Sequence, residues 1–164
     1  MPSYQPPVAE TRFVLFRVLK IEDYAHLPGF TEAGSDIIDA VLGEASRIAE
    51  EVFQPLNQSG DREGCSLDGG IVTTPQGFKE AYRELAEGGW IGLTASPDHG
   101  GQGLPPVLGA ALNEYLTSAN MALAMYPGLS MGAYAAIERH ASDELKAAYL
   151  PGLASGEWAG TMNL

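Results

Sequence analysis

Ile38, Val41, Leu42, Ala45, Ile48, Ala49 and Val52 follow one another at steps of three and four residues. That spacing puts all seven on one face of an α-helix and on both faces of a strand. Two further stripes keep the same period: Phe78, Ala81, Tyr82, Leu85 and Ala86, then Leu104, Val107, Leu108, Ala111, Leu112 and Tyr115. A helix with one apolar face must bury it against another element, and here the other elements are also helices. The spacing therefore predicts an all-α domain of about five helices, and no internal repeat is visible.

Proline, glycine and small polar residues set the expected ends. Ser35 is a suitable cap for the first long helix, with Asp36 at its positive end, and Pro55 ends or kinks that helix. Between Asn57 and Thr73 the chain is rich in Gly, Ser and Asp and has no helical period, so a surface loop is expected. Thr74-Pro75 is expected to open the second striped helix, with Pro75 at its first position, and Gly88-Gly89 to stop it. The low-charge stretch 121–139 is expected to break at Pro127-Gly128. Ser142 caps a last short helix with Leu145, Ala148 and Tyr149 on one face, ending at Pro151-Gly152. Ahead of Ser35, the apolar run around Phe13 to Leu19 after Pro6-Pro7 predicts a short helix, although its β-branched and aromatic content also suits a strand. Trp158 to Leu164 alternates loosely and reads as a β-strand.

Composition narrows the class of partner. The 164 residues carry 21 acidic against 9 basic side chains, a formal net charge of −12, and the basic residues do not cluster. Such an excess repels nucleic acid and anionic membranes. Met121 to Ile137 is an apolar stretch without charge, slightly short for a bilayer span and interrupted by Pro127-Gly128, so it reads as a buried core segment. Cys65 stands alone and the first residues carry no basic apolar leader. Both features point to a reducing, cytoplasmic setting.

Candidate sites are few. Ser96-Pro97-Asp98-His99-Gly100-Gly101-Gln102-Gly103 invites three readings: a phosphate cradle, a metal site or a tight connection. No Lys follows the glycines, and Asp98 and His99 are adjacent rather than at ligand spacing, with His26, His140 and Cys65 at no matching interval. A compact turn between packed helices is the expectation that remains. Cys65 has no neighbouring His, and the Glu50-Glu51 and Asp143-Glu144 pairs fall on helix surfaces or first turns, so the residues name no catalytic set. The run Ala124-Met125-Tyr126-Pro127-Gly128-Leu129-Ser130-Met131-Gly132 is different, because adaptable Met and volumeless Gly leave room for an apolar ligand beside the backbone. An irregular helix start in the core explains the same residues.

Two linked strings carry a resemblance. EGGWIGLTASPDHGGQGLP resembles the inter-helix loop of acyl-CoA dehydrogenases that usually reads Pro-Glu-Glu-Tyr-Gly-Gly-x-Gly, with Asp98 and His99 in place of Glu-Tyr. Ser142 to Leu153, followed by Ser155-Gly156-Glu157, resembles that family's Tyr-Leu-Pro-x-Leu-x-x-Gly approach to its middle β-domain. SYQPPVAETRFVLFRVL, GDREGCSLDGGIVTTPQGF and AMYPGLSMGAYAAI look most like the longer bacterial subgroup with an N-terminal extension, which includes enzymes acting on 3-methylmercaptopropionyl-CoA. The resemblance covers essentially the whole chain.

It implies the N-terminal helical domain of a dehydrogenase that removes the α proton of an acyl-CoA thioester while hydride leaves the β carbon for FAD. Residues 1–34 would be the extension, 35–156 the helical domain and 157–164 the first strand of the middle domain. Met162 and Leu164 match the strand that approaches the flavin, with Asn163 facing the other way. Met125, Tyr126, Gly128, Leu129 and Gly132 match the helix start that walls the acyl pocket. The family's base and most of its FAD site lie downstream of the matching positions, so the chain alone is expected to be inactive. The implied partners are acyl-CoA, electron-transfer flavoprotein or a similar acceptor, and further copies in a homo-oligomer. The same fold would also serve acyl-CoA oxidases or flavin monooxygenases, and a helical interaction module without catalysis is the reading from another class.

Overall fold

The computed structural model describes residues 3–161, and within them six α-helices, two short 3-10 turns and one β-hairpin. Helix α1 (Val8–Phe13) runs on as a wider turn, Val14–Val18, in which the Leu19 N–H reaches five residues back to the Val14 carbonyl. Residues 8–18 are helical, as the apolar run predicts, and this segment docks on the rest of the chain. Leu15 and Ile21 are buried in the main core, the Tyr115 hydroxyl donates to Thr11 Oγ1 at 2.7 Å, and Arg12 pairs bidentately with Asp39.

Helix α2 (Ser35–Arg47) continues as a second wider turn, Ile48–Phe53, and its expected stripe is the core: Ile38, Leu42, Ala45, Ile48 and Ala49 are all buried. The residue that caps it is Gly34, with no side-chain bond, and Ser35 is already the first helical residue. Pro55 does end that run. It also opens α3 (Pro55–Glu63), because a first helical position needs no N–H.

Helix α3 and the hairpin that follows replace the loop expected over 57–73. The polar sequence PLNQSGDRE hides the helix from any apolar stripe. Its single buried residue is Gly60, where an added Cβ would meet the Phe78 ring at 2.6 Å. Strands β1 (Ser66–Asp68) and β2 (Ile71–Thr73) pair antiparallel with Leu67 opposite Val72. Gly69 and Gly70 between them take φ of 54° and 83°, the geometry of the turn that suits a two-residue hairpin. Both faces of this hairpin are exposed.

Helix α4 (Phe78–Glu87) starts three residues later than Pro75 suggests, behind a left-handed Gly77, while Pro75 sits in the preceding turn. Its stripe buries Phe78, Ala81 and Leu85, and Gly88-Gly89 stops it as expected. The loop 96–103 is the compact connection its glycines predict. Ser96 Oγ accepts the Asp98 N–H, the Gly103 N–H returns to the Ala95 carbonyl, and a Cβ on Gly101 would lie 2.1 Å from that same oxygen.

Helix α5 (Pro106–His140) packs against α2, its wide turn, α3 and α6. Its break falls at Asn120, with φ −157° and ψ 90°, not at Pro127-Gly128, which stay helical. Helix α6 (Asp143–Ser155) is capped by Ser142 as expected, but it carries Pro151 inside and ends at a left-handed Gly156. Its buried face is Leu150, Leu153 and Ala154, whereas Leu145 and Tyr149 are exposed. Trp158 folds back on this helix, bonding the Gly152 carbonyl and meeting Tyr149 edge-on. No strand is formed over Trp158–Thr161, and the remainder of the expected strand, with Met162 and Leu164, lies outside the described residues. Among the described residues no helix is long and apolar enough to cross a membrane.

Candidate functional site

Asn120 fixes the second half of α5. Pro55 has no N–H, and the Asn57 N–H is used by the Gln54 carbonyl, so the Phe53 carbonyl points at α5 instead of closing a helical turn. Asn120 Nδ2 donates to it at 3.2 Å. On its other side Asn120 Oδ1 accepts the Leu123 N–H at 3.1 Å, the bond of a helix N-cap. One buried amide thus ends the first half of α5 and starts the second.

From that start Met121, Met125, Gly128, Leu129 and Gly132 fall on one face at helical steps. The face is open. Met121 is 62 % exposed, Met125 55 % and Leu129 39 %, and an added Cβ on Gly128 or Gly132 would meet nothing within 4 Å. The expected buried segment is therefore half buried: Leu123, Ala124, Pro127, Ser130 and Tyr134 face the core, and the two Met face out.

Two depressions flank this helix. One, of about 230 Å³, is lined by Asn113, Thr117, Met121, Met125, Gly128 and Leu129. The other, of about 300 Å³ and strongly apolar, lies between α4 and α5 and is lined by Phe78, Lys79, Tyr82, Leu123, Tyr126 and Ala159. Of the five residues the sequence singles out, Met125, Gly128 and Leu129 share the first, Tyr126 faces the second, and Gly132 extends the open stripe. Neither depression is lined by a carboxylate. Burial and the adjacent Cys65 thiol push the Tyr126 phenol above its ordinary pKa, so it stays neutral and serves as a wall and a hydrogen-bonding group.

A third cavity, of about 250 Å³, opens beside the 96–103 loop and holds Thr94, Tyr134 and Glu138 among apolar neighbours. The Tyr134 hydroxyl donates to Glu138 Oε1 at 3.2 Å and accepts the Ser96 N–H at 3.0 Å, with His99 Nδ1 at 3.3 Å. Here His99 braces the loop. Among the described residues no three His, Cys, Asp or Glu side chains converge as a metal site would require.

Asn120, Ser130 and Gly160 were missed by sequence reasoning. The one signal available was a pair of polar residues inside an otherwise apolar run, and burial is what gives them meaning.

A mostly helical domain with one β-hairpin thus presents an open, glycine-lined apolar stripe on the second half of α5. The family model for the N-terminal domain of acyl-CoA dehydrogenases matches residues 38–157, and the chain belongs to that family. It is 39% identical to 3-methylmercaptopropionyl-CoA dehydrogenase of Ruegeria pomeroyi, over 99% of this chain and 28% of that protein. A butyryl-CoA dehydrogenase of Syntrophomonas wolfei is 38% identical over 80% of the chain and 22% of its own length. The broad-specificity linear acyl-CoA dehydrogenase FadE5 of Mycobacterium tuberculosis is 30% identical over 100% of the chain and 27% of its own. The chain thus spans about a quarter of the length of these relatives.

Proposed function

We propose that this chain supplies one wall of the acyl pocket in an FAD-dependent acyl-CoA dehydrogenase, which converts an acyl-CoA thioester to the enoyl-CoA. The observation that carries the reading is the exposed face Met121, Met125, Gly128, Leu129 and Gly132, held in place by a buried cap. An isolated water-soluble domain gains nothing by leaving two Met and a Leu in water beside two glycines. Burying such a face removes apolar surface from water at about 25 cal/mol per Å², and an acyl chain is one occupant that fits a stripe without polar groups.

The chain's share of the work is positional. Met side chains conform to a flexible chain, the glycines let it approach the backbone, and the Asn120 joint keeps the helix from shifting when the pocket fills. FAD would supply the hydride acceptor. The described residues do not fit that cofactor, since none of the three cavities holds more than one basic side chain against the charge of a dinucleotide. Met162 and Leu164 remain the proposed flavin contacts, and no step is assigned to them. Electron-transfer flavoprotein or an equivalent acceptor, self-association into an oligomer and a cytoplasmic location complete the proposal. So does inactivity of the chain alone.

The test replaces the matched segment of the R. pomeroyi enzyme with residues 1–164 and follows acyl-CoA oxidation with a dye acceptor. Turnover by the chimera and none by residues 1–164 alone is expected. A folded, flavin-loaded chimera without turnover would remove the reading.

A further inference from the structure

Among the described residues, tyrosines aside, two polar side chains are buried, Asn120 and Ser130, each 1 % exposed. Asn120 precedes the pocket-wall segment and Ser130 lies within it, on its inner face. Asn120 fixes where that segment starts. Ser130 sits ten residues before the helix ends at His140, and one of its two bonds stays in that helix while the other reaches the segment after α6. Its hydroxyl donates to the Tyr126 carbonyl at 3.3 Å, one turn back, and accepts the Gly160 N–H at 3.0 Å, thirty positions on in sequence.

We propose that Ser130 is a positioning residue: it sets the register between the pocket-wall helix and the segment that leaves the domain. The inference rests on reading Met121 to Gly132 as a pocket wall, and three observations carry it. The first is orientation. A hydroxyl has one proton, and here the Tyr126 carbonyl takes it, which leaves the oxygen lone pairs directed at the Gly160 N–H. The second is distance. A Cβ on Gly160 would lie 2.6 Å from Ala133 Cβ and 3.2 Å from Ser130 Cα, so the departing segment lies against the helix backbone, where only glycine fits. The third is scarcity. A buried polar group costs stability unless it is bonded, and the sequence uses apolar or small residues nearly everywhere else on this inner face.

The consequence is mechanical. Tyr126, whose carbonyl anchors the Ser130 hydroxyl, lines the depression that Ala159 also lines, so wall and exit segment meet at one point. Trp158 ties the segment to α6, and the Ser130 bond alone ties Gly160 to the wall helix. Losing it leaves the wall intact and lets the exit segment slide, which changes reacting geometry more than it changes binding.

Two measurements decide the proposal. In the 164-residue chain, native-state amide exchange is followed at Gly160 and Leu123 for Ser130→Ala and Ser130→Thr. Loss of one buried hydrogen bond is expected to speed Gly160 exchange about tenfold in Ser130→Ala while Leu123 stays protected, and Ser130→Thr, which keeps the hydroxyl, restores it. Unchanged Gly160 exchange overturns the proposal. So does equal acceleration at Gly160 and Leu123, which is what loosened packing alone produces. In the chimera with the R. pomeroyi enzyme, Ser130→Ala is expected to lower kcat about tenfold with KM within about twofold, the pattern of a lost transition-state alignment. A lower melting temperature with kcat retained overturns the proposal. An inactive parent chimera counts against the dehydrogenase reading, and the exchange experiment still decides the role of Ser130.

Discussion

Replacing Asn120 tests the joint on which the candidate site depends. Asn120→Ala removes a donor from the Phe53 carbonyl and an acceptor from the Leu123 N–H, and both groups are enclosed where the side chain is 1 % exposed. A buried group left unsatisfied costs about 1–3 kcal/mol, so two of them amount to about 2–6 kcal/mol. Some of this is recovered, because helix N-terminal N–H groups often find water, and about 3 kcal/mol is the working figure. Urea unfolding at 25 °C reads it directly as a fall in midpoint at constant slope.

Asn120→Asp sharpens the test through pH. The carboxylate still accepts from Leu123, but it turns an acceptor toward the Phe53 carbonyl. A protonated Asp can donate there, so burial and this oxygen both raise its folded-state pKa. The folded state then holds the proton more tightly than the unfolded state. The variant should approach the parent below the unfolded value of about 4 and lose stability as pH rises through the folded pKa. A cost below about 1 kcal/mol for Asn120→Ala, or an Asp deficit that ignores pH, would refute the reasoning.

Three shorter predictions follow from glycine geometry and from the open stripe. Gly101→Ala should cost at least about 3 kcal/mol, since its Cβ would lie 2.1 Å from the Ala95 carbonyl oxygen. Gly100→Ala has room and is strained only by φ 84°, so thermal melting should register a cost of about 1 kcal/mol. Gly132→Ala should do the opposite in the isolated chain, raising stability by up to about 1 kcal/mol, because the position is helical and the added methyl meets nothing. In an active chimera the same change should raise KM for acyl-CoA; an unchanged KM would detach Gly132 from the pocket wall.

What the sequence makes legible is decided by periodicity. The stripes of α2, α4 and the first half of α5 announce their own buried faces, because each must meet another helix. The 96–103 loop is legible for a related reason: its glycines have no use except a backbone that other residues cannot follow. Helix α3 is illegible, since its one packing residue is a glycine seated under Phe78 and its outer face is polar. The hairpin could have been found from Asp68-Gly69-Gly70, whose turn chemistry the surrounding loop composition conceals. Pro127 and Pro151 mislead in the same way: each gives up one helical bond, and the packing around its helix tolerates the loss. The break at Asn120 depends on a carbonyl 67 residues away, which no local pattern contains. At the candidate site, residue types pointed to one helix but not to its faces, because Met125 and Tyr126 are neighbours in sequence and line different depressions.

The most direct measurement is acyl-CoA oxidation by the R. pomeroyi enzyme carrying residues 1–164 in place of its own matched segment, compared between the parent chimera and one with Met125→Lys. Met125 is 55 % exposed in the chain, so a Lys there leaves its folding unharmed while placing a charge on the proposed acyl wall. Turnover by the parent and a rise of at least about tenfold in KM for the Lys variant are expected, since an apolar pocket disfavours a charge by more than 1.4 kcal/mol. A Lys variant that oxidises acyl-CoA as the parent does would contradict the assignment of this helix face to the substrate.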